Sequence, residues 1–294
     1  MKPVAIVTDS VASIPQELIE ELNIQIVPYY IHRGTETLRD LVTAKTEGFY
    51  EWMKTASVLP QTANPSPGEY LETYLKLAGE GVRNIVSIHI TSKGSGAYNA
   101  AMAAKKMFLE KFPNAHLEVI DSLNVQMCQG WMVIEAARAA LKGFSMVEIT
   151  ERVRAMIPVS HMLQTADTLR YLYLGGRIGR AKHLVASLLD IKPIISMENG
   201  VIVSLGQART RKKVYKVMVD KLDQLAGHRG IKIAYVHAAA RVEAEKLKSM
   251  VEERVEVVES LICELSPALG VHSGPGTVGF CFYPVVGEAD FISN

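Results

Sequence analysis

A run of small and hydroxyl-bearing residues at positions 91–97 carries the side chains best suited to chemistry in this chain. It follows the apolar, β-branched run 85–90, which predicts a buried strand, and it precedes an alanine-rich run that favours a helix. The first turn of a helix offers backbone N–H groups without intrahelical partners, and the helix dipole attracts negative charge there. Ser95, between Gly94 and Gly96, adds a hydroxyl donor. The sequence therefore predicts an anion-binding site at these three residues.

Ser95 could instead be a nucleophile, which would make the protein a hydrolase or an acyltransferase. Its surroundings, Lys-Gly-Ser-Gly-Ala, do not match the GxSxG elbow of the serine hydrolases. A serine nucleophile also needs a base, and His89, His237 and His272 are candidates that the sequence does not place beside it. Three interpretations therefore stay open: a hydroxyl that binds an anion, which we favour, a helix cap, and a catalytic nucleophile.

Four other polar residues could face a ligand. Arg177 and Arg209 could hold an anionic group or meet an acidic patch on a partner, and either could equally form a surface ion pair. His272 precedes a Gly-Pro-Gly turn without the spacing of a metal ligand, which suits a structural role or the mouth of a site. Asp9 ends the first predicted strand, where α/β proteins bind ligands, although a turn or cap role is favoured.

Two glycine-rich motifs look like nucleotide-binding sites, but the sequence around each of them does not fit such a site. The GxGxxG match at 274–279 continues into a strand-like run, whereas a dinucleotide motif opens a helix. The segment GGRIGRAK lacks the Gly-Lys-Ser/Thr ending of a phosphate-binding loop. We therefore expect no nucleotide cofactor, and no bound metal.

Composition excludes several classes of protein. The 294 residues are 48% apolar and 21% charged with a net charge of +1, which predicts a large core and no basic face for nucleic acid. No leader pattern opens the chain and no run approaches about 20 apolar residues, so we expect no stable membrane insertion. Three widely spaced cysteines suit a reduced, cytoplasmic compartment.

The first half of the chain alternates strand and helix signals, which favours a parallel sheet covered by helices. The predicted strands are 4–8, 24–31, 85–90 and 117–121, and the predicted helices are 15–22, 45–55, 67–79, 125–141 and 145–156. Ser145 and Glu148 have the spacing of a capping box.

The pattern changes after Pro158 to a mixed one. The predicted strands are 161–167, 193–197, 201–205, 231–237, 255–261 and 277–282, and the predicted helices are 168–174, one ending at 189, 210–225 and 240–254. Asn199-Gly200 predicts a hairpin turn. We therefore predict an α/β protein of two domains, a parallel-sheet N-terminal domain at 1–158 and a mixed-sheet α/β C-terminal domain at 159–294.

Nine segments in this order resemble the DegV family, whose members include the FakB-type fatty-acid-binding subunits of bacterial fatty acid kinase. They are VTDSVASIP, QTANPSPGEY, ITSKGSGAYNAA, EVIDSLNVQ, LRYLYLGGRIGRA, LLDIKPII, ARTRKK, YVHAA and HSGPGTVGFCFYP. The resemblance covers nearly the whole chain and rests on the joint occurrence of these blocks.

The resemblance implies two α/β domains that hold a fatty acid between and within them. It implies that Thr62 and Ser95 hydrogen-bond the carboxylate, and that Arg177, Arg209 and His272 lie near the head group or on a surface that faces the kinase. This chain departs from the family pattern beside both hydroxyls. Gly94 and Ala97 stand for Leu and Thr, Ala63 replaces a hydroxyl residue, and Cys128 replaces a small residue.

The favoured hypothesis is a long-chain fatty-acid-binding protein that presents the acid to a kinase for acyl-phosphate formation. Burial of about 14 methylenes at about 0.8 kcal/mol each offers roughly 11 kcal/mol before ordering costs. The carboxylate then needs donors, because an unpaired buried charge is very costly. The alternatives are a serine-dependent hydrolase or acyltransferase using Ser95, and a binding module for a phosphorylated metabolite.

Overall fold

The structure is a computed structural model that describes residues 4–182 and 191–285, which form three sheets flanked by helices. The strands are β1 (Val4–Asp9), β2 (Gln25–Val27), β3 (Tyr30–Arg33), β4 (Glu36–Arg39), β5 (Gln61–Ala63), β6 (Asn84–His89), β7 (His116–Asp121), β8 (His161–Thr165), β9 (Lys192–Glu198), β10 (Val201–Ala208), β11 (Ile231–His237), β12 (Val257–Glu264) and β13 (Val278–Pro284). The helices are α1 (Gln16–Glu21), α2 (Phe49–Thr55), α3 (Pro67–Gly79), α4 (Ala97–Lys111), α5 (Gln126–Leu141), α6 (Met146–Met156), α7 (Arg170–Leu174), α8 (Arg211–Ala226), α9 (Arg241–Glu252) and α10 (Pro267–Ser273).

The first sheet has the order β2-β1-β6-β7, and its neighbours are all parallel, as predicted. Its strands are apolar because helices pack against them: α4 against β6 and β7, and α5 against β1 and β6. Parallel strands end at a common edge, so β1, β6 and β7 deliver the loops that begin at Ser10, Ile90 and Ser122 to one place. The predicted anion-binding loop is the middle one.

The second sheet is mixed, with the order β10-β9-β8-β13-β11-β12, and this also agrees with the prediction. Only its β11–β12 pair is parallel in the described residues. Asn199 and Gly200 have φ values of +50° and +80°, which confirms the predicted hairpin turn. Helix α5 joins the two sheets, because it packs on β1 and β13 and Trp131 Nε1 donates to the Cys281 carbonyl at 3.2 Å.

The predicted strand at 24–31 is wrong, because two strands of different sheets occupy it. β2 belongs to the parallel sheet, whereas β3 pairs with β4 and β5 in a small antiparallel sheet. Pro28, which has no N–H for a ladder, lies at the break. Tyr29 follows it, and its N–H donates to Ser10 Oγ at 3.1 Å instead of to a strand.

Two helices differ from the prediction. The helix expected from Lys45 begins at Phe49, after Gly48 with φ +75°. α10 was not predicted, although Ser266 as N-cap and Pro267 at the first position are start signals. His272 consequently lies in the last turn of a helix rather than in a loop.

The capping box of Ser145 and Glu148 is confirmed. The helix predicted to end at 189 lies largely outside the described residues.

The domain boundary at 158 stays a prediction. The parallel sheet precedes it and the mixed sheet follows it, but α10 packs on α2, β3 and β5 of the first half.

Candidate functional site

A cavity of about 170 Å³ lies at the edge of the parallel sheet, where it faces the mixed sheet. This is roughly ten times the space that one buried water needs. Its apolar lining is Val11, Ile90, Val125, Met162, Leu172, Ile195, Met197, Val201, Ile202, Ala268 and Leu269. Its polar lining includes Tyr29, Thr62, Ser95, Gln126, Gln164, Arg177 and His272. The cavity therefore suits a ligand with one polar end and an apolar body.

Ser95 is half-buried at the cavity wall and is paired with a phenol. Its Oγ lies 2.5 Å from Tyr29 Oη and accepts from the Ala97 N–H at 3.3 Å. Burial raises the pKa of Tyr29 well above its usual value, and the nearby Asp9 carboxylate adds to this. The phenol is therefore neutral at physiological pH and can donate to Ser95 Oγ. The Ser95 proton is then free to point to an anion.

Thr62 is paired in the same way with an imidazole. Its Oγ1 lies 2.7 Å from His272 Nε2, across 210 residues of sequence. Burial lowers the pKa of His272 to about 4, helped by the positive charge of Arg177. The ring is therefore neutral at pH 7, and its Nε2–H tautomer can donate to Thr62. Thr62 and Ser95 thus form two hydroxyl donors, each backed by a neutral group, the half-buried His272 and the buried Tyr29.

Close contacts hold the loops that carry these hydroxyls. A Cβ on Gly96 would lie 2.8 Å from Asn64 Oδ1, so glycine lets the two loops approach. Thr91 Oγ1 donates to the Gly200 carbonyl at 2.9 Å, and Lys93 Nζ donates to the Asn199 carbonyl at 2.7 Å. The loop predicted to bind an anion is therefore fixed to the β9–β10 turn of the second sheet.

The segments GGRI (175–178) and HSGPG (272–276) pack closely together, and glycines allow this close approach. A Cβ on Gly175 would lie 2.3 Å from His272 Nδ1. A Cβ on Gly274, which has φ +81°, would lie 2.1 Å from Tyr171 Cδ2. These approaches seat α7 against α10 and thereby fix the ring of His272.

The structure brings most of the predicted site residues together. Gly94, Ser95, Thr62, Arg177 and His272 line the cavity. Arg177 is exposed, and its Nη1 donates to the Gly175 carbonyl at 2.7 Å. Gly96 is exposed beside Ser95, Arg209 is exposed after β10, and neither lines the cavity. A ligand role for these residues stays a prediction.

Sequence reasoning missed Asp40, a buried carboxylate that connects both hydroxyl pairs. It accepts from Ser10 Oγ at 2.6 Å and from the Ala268 N–H of α10 at 3.0 Å. Ser10 Oγ in turn accepts from the Tyr29 N–H, so Asp40 ties the Tyr29 segment to the helix of His272. Burial raises the pKa of Asp40 to about 6.

We expect the ionisation of Asp40 to lower stability between pH 4 and pH 7. Its folded pKa of about 6 exceeds the unfolded value of about 3.9, so the folded state binds more protons in this interval. The unfolding free energy of wild type minus that of Asp40→Asn should fall by up to about 3 kcal/mol as pH rises. Urea unfolding at several pH values measures this difference. A difference that is flat or rises with pH contradicts the assignment.

No histidine is hydrogen-bonded to Ser95 within residues 4–182 and 191–285, where its Oγ pairs with Tyr29 and the Ala97 N–H. His89 Nε2 lies 2.7 Å from Ser87 Oγ and its Nδ1 lies 3.0 Å from Asp9 Oδ2. This Asp–His–Ser chain has the order of a catalytic triad, but its three side chains are fully buried beneath the sheet edge. Asp9 serves this interior network rather than a turn or a cap, since it also accepts from Gln129 Nε2 at 3.0 Å.

Neither a metal cluster nor a membrane span was found in the described part of the chain. No group of three or more His, Cys, Asp or Glu side chains there is arranged to hold a metal ion. None of its helices combines the length and the apolar character needed to cross a bilayer.

Comparison with known proteins identifies the family. A family model described as "Uncharacterised protein, DegV family" matches residues 3–285. The chain belongs to the DegV family. A DegV domain-containing protein of Clostridium perfringens is 34% identical over 280 residues, covering 95% of this chain and 98% of its own.

Solved DegV structures share the whole fold. A DegV family protein from Thermus thermophilus, described by its fatty acid binding, has a TM-score of 0.89 at 26% identity and covers 96% of this chain and 100% of its own. DegV from Bacillus subtilis, described as a fatty acid binding protein, has a TM-score of 0.85 at 31% identity, with 97% and 100% coverage. The α/β architecture of this chain is thus that of the DegV family.

Proposed function

We propose that this chain binds a long-chain fatty acid, with the carboxylate held by Thr62 and Ser95 and the tail against the apolar wall. The observation that carries the proposal is one cavity that combines an apolar lining with two hydroxyls backed by Tyr29 and His272. The DegV proteins from Thermus thermophilus and Bacillus subtilis, which are described as binding fatty acids, support it.

The energetics favour tight binding without reaction. Each methylene removed from water contributes about 0.8 kcal/mol, which exceeds the ordering cost for a long chain. Two charge-assisted hydrogen bonds of about 1.5–3 kcal/mol each offset desolvation of the carboxylate. Arg177 at the cavity wall adds a favourable charge.

Within the part of the chain that the structure describes, Ser95 Oγ is hydrogen-bonded to a phenol and a backbone N–H, and to no histidine or carboxylate. Its partner is a phenol whose pKa is raised by burial, and a neutral phenol is a poor base at physiological pH. We therefore propose a carrier rather than a hydrolase or an acyltransferase.

The chemistry of a bound carboxylate suggests a partner enzyme. The proposed partner is a fatty acid kinase that transfers the terminal phosphoryl group of ATP to a carboxylate oxygen, which yields an acyl phosphate and ADP. Arg177 is exposed beside Thr62 and could offset the charge of the entering phosphoryl group. This role places the protein in the cytoplasm, where ATP is available.

Calorimetric titration of the delipidated chain tests the proposed function. Palmitate should bind with a dissociation constant of micromolar or below and with a negative heat-capacity change, because apolar surface is buried. Glucose 6-phosphate is the comparison ligand and should give no binding heat. Binding of the sugar phosphate without binding of palmitate would instead favour a module for phosphorylated metabolites.

A further inference from the structure

Two glutamine side chains interrupt the apolar wall of the cavity. Gln126 opens α5 and Gln164 lies in β8, and they are 4% and 2% exposed. Gln126 Nε2 donates to Gln164 Oε1 at 2.6 Å, and both residues line the cavity. A carboxamide pair is costly in an apolar wall unless its groups are hydrogen-bonded, so its partners have to be accounted for.

The backbone around the pair is shaped to keep it there. Gln126 has φ +55°, a left-handed backbone conformation that residues other than glycine rarely adopt. A Cβ on Gly279 would lie 2.7 Å from the Gln164 Cα, so glycine lets β13 approach β8 at this residue. Strained or closely approached backbone of this kind persists where the surrounding structure imposes it.

The two amides have more N–H groups than the surrounding residues have acceptors for them. Two carboxamides carry four N–H bonds, and the contact between them uses one. The thiol of Cys281 also contacts the pair, with its Sγ 4.0 Å from Gln126 Oε1, and this contact uses an acceptor rather than a donor of the amide. Within residues 4–182 and 191–285 the remaining three N–H bonds have no acceptor. Reversing one amide alone would set two oxygens or two N–H groups against each other, so the contact exists only with both amides as they lie or with both reversed, and in either case it uses one N–H.

We propose that Gln126 and Gln164 select an acyl chain that carries a hydrogen-bond acceptor, a hydroxyl or keto oxygen, along its length. The inference rests on the proposed function, because it takes the cavity to hold a fatty acid tail. A plain hydrocarbon would seal the amide N–H groups away from water without a partner, which costs free energy. An oxygen on the chain would accept from them and remove that cost. A site built to hydrogen-bond a substituent discriminates strongly against the analogue that lacks it.

A panel of acids of equal chain length tests this selectivity on the delipidated protein. The ligands are stearate, oleate and 3-hydroxy-, 10-hydroxy- and 12-hydroxystearate. At least one hydroxy acid should bind wild type tenfold or more tightly than stearate, a difference of about 1.4 kcal/mol. Gln164→Met keeps the length of the side chain and removes the amide, so it should abolish or reverse this preference. Met162→Leu, an apolar exchange on the same strand and in the same wall, should keep it.

The outcomes separate the inference from the proposed function. If stearate or oleate binds as tightly as every hydroxy acid, the selectivity is wrong while fatty acid binding stands. If Gln164→Met still prefers the hydroxy acid as wild type does, the proposed role of the glutamine pair is also wrong. If none of the acids binds, the proposed function fails first. Should Gln164→Met not fold, the wild-type panel alone decides.

Discussion

Gly274→Ala is expected to lower the free energy of unfolding by about 3 kcal/mol or more. The new Cβ would lie 2.1 and 2.6 Å from two ring carbons of Tyr171, and the residue has φ +81°. Overpacking and left-handed strain each cost roughly 1–3 kcal/mol. Relief of the clash would move α7 away from α10, which carries His272. If the variant folds, its affinity for palmitate should therefore also be lower.

Gly176→Ala is the matched control, because Gly176 has φ +69° and open space around its Cβ position. It carries the left-handed strain without the clash and should cost only about 1–2 kcal/mol. Urea unfolding of both variants compares a positive-φ glycine whose Cβ would meet Tyr171 with one whose Cβ would meet nothing. Equal losses of stability in the two would show that α7 and α10 are not in the contact described here.

Ser95→Ala and Thr62→Val are expected to weaken palmitate binding more than any other single change in the cavity. Each removes one charge-assisted hydrogen bond of about 1.5–3 kcal/mol, which corresponds to roughly 10- to 100-fold in the dissociation constant. Thr62→Val also leaves His272 Nε2 without its partner. The double variant should bind at least as weakly as the weaker single variant.

Ser92→Ala is the control for this series. Ser92 lies in the same loop and does not line the cavity, and the contacts shown for it involve its backbone N–H and Asp121. Its removal should leave the palmitate dissociation constant unchanged. Equal affinity of Ser95→Ala and wild type, with both folded by circular dichroism, would exclude Ser95 from the head-group site.

Local patterns predicted the elements whose signals lie within the element. α3 was predicted with its exact bounds, since Pro67 opens it and an amphipathic face follows. β11 was predicted with its exact bounds as an apolar run. The single strand predicted at 24–31 is wrong for a physical reason. An apolar run shows that a segment is buried, but it does not show which sheet each half of the segment joins.

The site itself depends on contacts that a sequence pattern does not contain. Ser95 and Thr62 were proposed from a helix start and from family resemblance, but their partners lie 66 and 210 residues away along the chain. Asp40 and Gln164 belong to no motif, and Gln126 ends the segment EVIDSLNVQ without a role that the sequence assigns to it. Their importance comes from burial and from the donors around them, which only the folded chain brings together.

The lipid that accompanies the purified protein tests the central claim most directly. The account predicts that the chain, after gel filtration, carries one long-chain acyl species at close to one molecule per chain, detected by extraction and mass spectrometry. Mild delipidation should empty the site, and incubation with palmitate should refill it. Protein that carries no acyl species and takes up none would contradict the fatty-acid-binding role of the cavity.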